Sequence, residues 1–336
     1  MINRIIYLGY YILKTPKSQF FKDFNFVKKK KNISSLALYK EILSSCFKYN
    51  VSLMDYFKLR FFDKTKEQRS EYAGMGFMYE YQLKMNPKGS RDVLEDKVKF
   101  LKHFNEFSGR KWATLAMLEQ SKGLLESFLN QEQGKVVLKY SKGQAGQEVQ
   151  VIETKNMSAE DLLNFMKEGN FDLIETFVVQ HDDLMKIAPR GLNTVRIVTQ
   201  LTANNNVIII GTSLRLSIYE NVDNMRAGNI ALPLDPETGI TTDSGVYADI
   251  SKEDVRTHPL TGLNLVGFKV PYWHECKEMI MKAALLIPEN KSIGWDIAIT
   301  NNGPLLIEGN HNWSHELWQL PVRKGQKKIL LQFIND

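Results

Sequence analysis

Asp296, Glu308 and Asn310 bring two carboxylates and an amide oxygen into one short stretch of chain. Hard oxygen donors of this kind suit Mg²⁺, which also keeps waters and nucleotide phosphates in its octahedron. The stretch from Gly294 to Asn310 reads as two apolar strands joined by Asn301-Asn302-Gly303, a strong hairpin signal. A three-residue loop with Gly303 left-handed pairs Thr300 with Pro304 and sets Asp296 opposite Glu308. Side chains facing across such a pair sit roughly 5 Å apart, and Asn310 shares their face. A two-residue Asn302-Gly303 turn would instead send Asp296 to the other face. The plain alternative is a solvated edge hairpin. Against it stands the apolar run Leu305-Leu306-Ile307, which implies burial, and a buried carboxylate needs a partner.

Other residues could handle phosphate. Lys139 closes an apolar strand and precedes a polar loop containing Gly143 and Gly146. Backbone N–H groups in such a loop can approach phosphate oxygens, and Lys139 adds a point charge. The same glycines would serve an ordinary hairpin, and the spacing matches neither the P-loop nor the dinucleotide fingerprint. Glu175 stands alone inside the apolar strand Leu173 to Val179, where it could accept from an adenine amino group or pair with a structural Lys or Arg. Asp182, just beyond, could bind ribose hydroxyls or shape a turn. Arg196 and Arg215 flank the Asn-rich turn 203–206. As neighbours on one face they would repel without a phosphate between them; apart, they would be separate surface ion pairs. His258 lies in the rigid His258-Pro259-Leu260-Thr261-Gly262 loop, where a lone His is more often structural. His311 and His315 follow the metal candidates, but no Ser or Cys in a recognisable setting offers a nucleophile.

These residues need elements to hold them. From Ser34 to about Phe107 apolar positions recur at helical spacing, and Ser90 is a candidate N-cap for a helix carrying Leu94, Val98, Leu101 and Phe104. A helical stretch, Leu115 to Leu129, leads to a strand over 136–140. Strands follow over 172–179, 194–201 and 207–217, and a helix from about His274 to Leu286 precedes the terminal hairpin. Helices mixed with mainly antiparallel strands give an α+β class. Neither an internal repeat nor a low-complexity linker is visible. With 336 residues, 43% hydrophobic, the chain can bury a sizeable core. Two cysteines, Cys46 and Cys276, exclude a disulfide framework and point to a reducing, cytoplasmic setting. The net charge of +6 suits anionic substrates, and no zinc-ligand or nucleic-acid motif accompanies it, so nucleic acid is not expected as a partner. The apolar run Ile5 to Leu13 is too short to span a bilayer. Lys28 to Lys31, after four phenylalanines, could make peripheral contact with anionic lipid or face solvent.

The order of a Lys on an early helix, a strand Lys before a Gly-rich loop, a strand Glu, and a late Asp…Glu-x-Asn hairpin resembles the ATP-grasp superfamily. More narrowly, Asn193-Thr194-Val195-Arg196, His258 to Gly262 and Gly294 to Asn310 resemble the sugar-transfer-associated ATP-grasp family, linked to capsule and surface-polysaccharide synthesis. The likeness runs from about Ser90 to Pro321. It implies an ATP-grasp fold, two α+β subdomains clasping ATP, with a helical N-terminal region over 1–90, a small subdomain with its lead-in helix over 91–178, and a C-terminal subdomain with the metal site over 179–336. By position, Lys97 and Lys139 resemble the family's phosphate-holding lysines, Glu175 the adenine-reading acid with Phe177 and Val178 as backbone contacts, and Asp182 the ribose acid. Asp296, Glu308 and Asn310 resemble the Mg²⁺ ligands, with two ions expected. Many ATP-grasp ligases carry an Arg where this chain has Gly294; Arg215 or Arg196 could supply the catalytic charge from another strand, and the resemblance does not assign which. The implied reaction joins a small-molecule carboxylate, such as a uronic or amino acid, to an amine through an acylphosphate. Arg226, Asn229, His258 and His311 are the substrate-selecting candidates. A phosphotransferase acting on a hydroxyl and a non-catalytic nucleotide-binding scaffold are the alternatives.

Overall fold

The computed structural model describes residues 2–142, 149–218 and 228–334. All strand pairs among the described residues are antiparallel, and in both sheets some connections pass over intervening strands.

The first sheet is formed by β1 (Trp112–Thr114), β2 (Lys135–Lys139), β3 (Val149–Glu153) and β4 (Leu173–Thr176), in the order β1-β4-β2-β3. The helices Leu115–Gln120, Lys122–Leu129 and Ala159–Glu168 cover it with Leu118, Leu125, Phe128, Leu162 and Met166. The second sheet contains β5 (Thr194–Leu201), β6 (Val207–Leu216), β7 (Ile230–Pro233), β8 (Val246–Tyr247), β9 (Ser292–Thr300) and β10 (Gly303–Asn310), in the order β10-β9-β5-β6-β7-β8. β5 is buried along its whole length because both faces are covered. The helix Trp273–Leu285 packs with Val195, Ile197 and Trp295 on one side. On the other, the helices Met75–Met85 and Lys327–Ile334 close over Val198, Trp313 and Trp318.

Three amphipathic helices, α1 (Ile2–Lys14), α2 (Lys17–Lys31) and α3 (Ser35–Tyr49), open the chain around their own apolar core. This region is tied to the second sheet. Asn86 donates to the carbonyls of Ser292 and His311 at 2.7 Å each and accepts from the Ser292 amide. Asp55, fully buried, meets His315 Nε2 at 2.9 Å.

Two expectations about this framework are corrected. Ser90 does not cap the helix of Leu101; it ends a 3₁₀ turn, and Asp96 is the cap, accepting from the amides of Val98 and Lys99. The long helical stretch divides there because a capping aspartate competes with helix continuation. The Asn301 to Gly303 loop is also different. Gly303 pairs with Thr300, so only Asn301 and Asn302 form the turn. That register alone would put Ile307 opposite Asp296. A β-bulge between Leu306 and Glu308 shifts the pairing by one and restores Glu308 opposite Asp296.

Candidate active site

The bulge decides which side chain faces Asp296. Asp296 lies mid-way along β9, 3% exposed, and Arg196 is its partner across β5. Arg196 Nε and Nη2 grip its two oxygens at 2.5 and 2.8 Å, and Arg215 Nη1 reaches Oδ2 at 2.9 Å. Burial opposes ionisation of Asp296, but the two guanidinium groups overcome it and hold the carboxyl well below the usual carboxylate range. Glu308 lies on the opposite strand within hydrogen-bonding reach of Asp296. Desolvation by the surrounding protein and the Asp296 charge push its pKa up, although the Glu308 residue keeps an exposed side. Asn310 donates to Glu308 Oε1 at 3.0 Å. The phosphate expected between Arg196 and Arg215 is thus not what reconciles them: the Asp296 carboxylate is.

Two acids this close, one favouring the proton because the other is charged, form a donor set that a divalent cation would neutralise, and their oxygens are the hard type Mg²⁺ prefers. Asp296, Glu308 and Asn310 thus have the donor chemistry for the ion, with both Asp296 oxygens shared with Arg196 and Arg215.

A second charged cluster belongs to the first sheet. Glu175, 2% exposed, accepts from Lys139 Nζ at 2.7 Å and lies 2.9 Å from Arg110 Nε. Burial would raise its pKa, yet Arg110, Lys139 and then Lys97 bring it below the ordinary value. The adenine-accepting role expected of the Glu175 carboxylate is corrected accordingly: its oxygens serve these cations. Lys97 Nζ donates to the Tyr140 carbonyl at 2.7 Å and its amide to Ser141 O, so the helix Lys97–His103 is fastened where the glycine loop begins. Ser141 is held in turn by both oxygens of Asp172. Gly143 and Gly146 lie outside the described residues, as does Arg226. Beyond β4, Phe177 and Val178 are half-buried in the link between the sheets. Asp182 opens the next helix and accepts from Asn301 Nδ2 at 3.1 Å, which ties the link to the hairpin turn.

Arg110, within Gly109-Arg110-Lys111-Trp112, is marked by no motif in the sequence. Gly109 takes a positive φ of 54°, and its missing side chain leaves the space occupied by Leu305 of β10. This contact aims Arg110, 6% exposed, between the clusters: Nε toward Glu175, Nη2 3.4 Å from the Ile307 carbonyl at the bulge. Its Nη1 has no hydrogen-bond partner among the described residues. The signal was an arginine beside a glycine, and that pattern is too common to read without the fold.

The substrate candidates separate. His311, buried and next to Asn310 in the chain, places Nε2 3.0 Å from Glu95. His258 and Asn229 are corrected: both are fully or almost fully buried and grip backbone. His258 Nε2 lies 3.2 Å from Ser217 O, and Asn229 Oδ1 accepts from the Ile218 amide. Asn193 Oδ1 accepts from the Ser217 amide. Three side chains from separate segments thus fix the end of β6 just beyond Arg215.

Asp55, His315 and Glu316 also cluster. Their atoms are engaged: Asp55 by His315 and by the amides of Ser52 and Met75, Glu316 by Lys58. They join the N-terminal helices to the second sheet.

The model of the sugar-transfer associated ATP-grasp family matches residues 77–335. No curated protein matches this chain. Among solved structures, biotin carboxylase from Campylobacter jejuni is similar at 13% identity and a TM-score of 0.48, over 73% of this chain and 46% of that one. The ATP-grasp ligase PsnB, complexed with a minimal precursor, is similar at 13% identity and a TM-score of 0.40, over 75% and 62%. D-alanine-D-alanine ligase from Coxiella burnetii is similar at 10% identity and a TM-score of 0.40, over 73% and 57%. The chain therefore spans about half to two thirds of these proteins' length.

Proposed function

Because the chain belongs to the sugar-transfer associated ATP-grasp family and has its fold, we propose that it is an ATP-dependent carboxylate–amine ligase serving surface-polysaccharide synthesis. In this reading the substrate carboxylate attacks the γ-phosphorus of ATP and ADP leaves. An amine then attacks the acyl carbon of the resulting acylphosphate, inorganic phosphate leaves, and the amine loses a proton. Such a reaction needs positioning and charge neutralisation rather than a covalent nucleophile.

The observation that carries the reading is the Asp296–Glu308 pair, aligned by a bulge and backed by two arginines. We assign Asp296, Glu308 and Asn310 to magnesium, which when bound would neutralise phosphoryl charge. Lys97 and Lys139 take the phosphates. Lys139 then exchanges part of its contact with Glu175 for a phosphate oxygen, while Arg110 keeps Glu175 compensated. Phe177 and Val178 line the adenine through their backbone, and Asp182 meets the ribose. Arg196 and Arg215 hold Asp296 ionised and supply positive charge beside the phosphoryl group. His311 faces the substrate.

Calorimetric titration of ATP with and without Mg²⁺ into wild type and Glu308→Ala tests the assignment. Magnesium-dependent binding in wild type, lost in the variant, is the expected result. Folded wild-type protein that binds no ATP would sink the reading.

A further inference from the structure

The first fifty residues contain ten Lys and Arg against two acids, Asp23 and Glu41. Asp23 is buried and Glu41 is paired with Arg69; from outside the segment, Asp249 pairs with Lys22 and Asp63 with Lys30 and Lys31, which leaves the remaining lysines to set the outward charge. The apolar side chains here do not all turn inward. Along α3, Leu38, Ile42, Cys46 and Tyr49 face the helical core, while Leu36, Leu43 and Phe47 form a second stripe on the opposite side, with the exposed Lys40 among them. Leu36 is 65% exposed. α1 repeats the pattern: Tyr11 is buried, and Ile5, Ile12 and Leu13 are more than half exposed, Leu13 to 84%. Arg4 donates to the Phe47 carbonyl at 2.5 Å, and Phe20 stacks on Tyr39, so α1 and the start of α2 lie alongside α3. Ten of the twenty-five large hydrophobic side chains exposed among the described residues fall within this region, which makes one patch of what would otherwise be scattered exposure.

We propose that the outer face of α1, α2 and α3 docks on an anionic lipid surface. The apolar stripe enters the boundary between headgroups and acyl chains, and the surrounding lysines meet acidic headgroups. A helix apolar on two opposite faces is explained when both faces are covered, and the protein covers only one. Lys14, Lys17, Lys28, Lys29 and Lys40 are exposed and have no acid partner among the described residues, and this basic rim selects an anionic covering. Among the described residues no helix is long and apolar enough to cross a membrane, so these helices lie on the surface. The proposal does not rest on the ligase reading.

Flotation of the full chain with phosphatidylcholine vesicles, with and without phosphatidylglycerol, tests it. Binding is expected only with phosphatidylglycerol and should weaken as salt is raised. It should drop roughly fivefold for each of Lys17→Gln and Lys40→Gln and vanish in Leu13→Glu combined with Leu36→Glu. Those leucines are exposed, so the variant should keep the wild-type melting curve and ATP titration. Three results would overturn the proposal: folded wild type left unbound by anionic vesicles, binding indifferent to the leucine changes, or self-association in lipid-free solution that the leucine changes abolish.

Discussion

Arg110 shows how one buried side chain can serve two clusters. It partners Glu175 on the first sheet and touches the bulge carbonyl next to Glu308 on the second. Replacing it with methionine keeps most of the volume but leaves Glu175 with Lys139 as its close cation. A buried acceptor deprived of one partner costs about 1–3 kcal/mol, and urea denaturation of Arg110→Met should record a loss in that range. ATP affinity should fall as well, because Lys139 must then stay with Glu175. The residue scale was partly legible in sequence. Asp296, Glu308 and Asn310 stood out as oxygen donors around a turn. That Asp296 is the anion between Arg196 and Arg215 was not legible, because cross-strand neighbours a hundred residues apart depend on a register no single strand reveals. His258 and Asn229 misled for a related reason: a polar side chain gripping backbone has the same letter as one facing a substrate.

At the scale of elements, Gly294 is the informative position. A Cβ built there would meet Trp313 Cβ at 2.6 Å and Arg196 Nη1 at 3.3 Å. The space beside β9 is occupied by an indole and by the guanidinium that holds Asp296. Gly294→Ala should therefore move Trp313 or Arg196, costing about 1–3 kcal/mol as overpacking does. Magnesium-dependent ATP binding should weaken beyond what the stability loss explains, which thermal melts paired with titrations would separate. Strands were largely readable at this scale. Period and turn residues marked β5, β6 and the hairpin, and the helix Trp273–Leu285 was expected within one residue at each end. The bulge was not readable: it depends on how β10 twists against β9, and Leu305-Leu306-Ile307 reads the same with or without it.

At the scale of the molecule, the N-terminal helices are fastened to the second sheet by a buried ion pair. Burial works against a charged His315, but Asp55 outweighs it and raises the imidazole above its ordinary 6.5. For Asp55, burial is likewise outweighed, by His315 and two amides, and its pKa falls below 3.8. Glu316 and Lys58, packed alongside, act in opposite directions on the imidazole. The His315 contribution is complete below pH 6.5 and disappears as pH climbs through the raised value; the Asp55 contribution is lost only at acid pH, below 3.8. The melting temperature should therefore decline from about pH 6.5 upward. His315→Gln should be less stable by about 3 kcal/mol near neutral pH and should flatten that slope.

Asn86 has a consequence for how the protein is made. Its amide closes on Ser292 and His311, partners 206 and 225 residues further along the chain. During synthesis the ribosome must deliver the chain as far as His311 before that amide finds its acceptors. The helical region emerges early but waits, and the β9–β10 hairpin, translated some two hundred residues after Asn86, locks it in place.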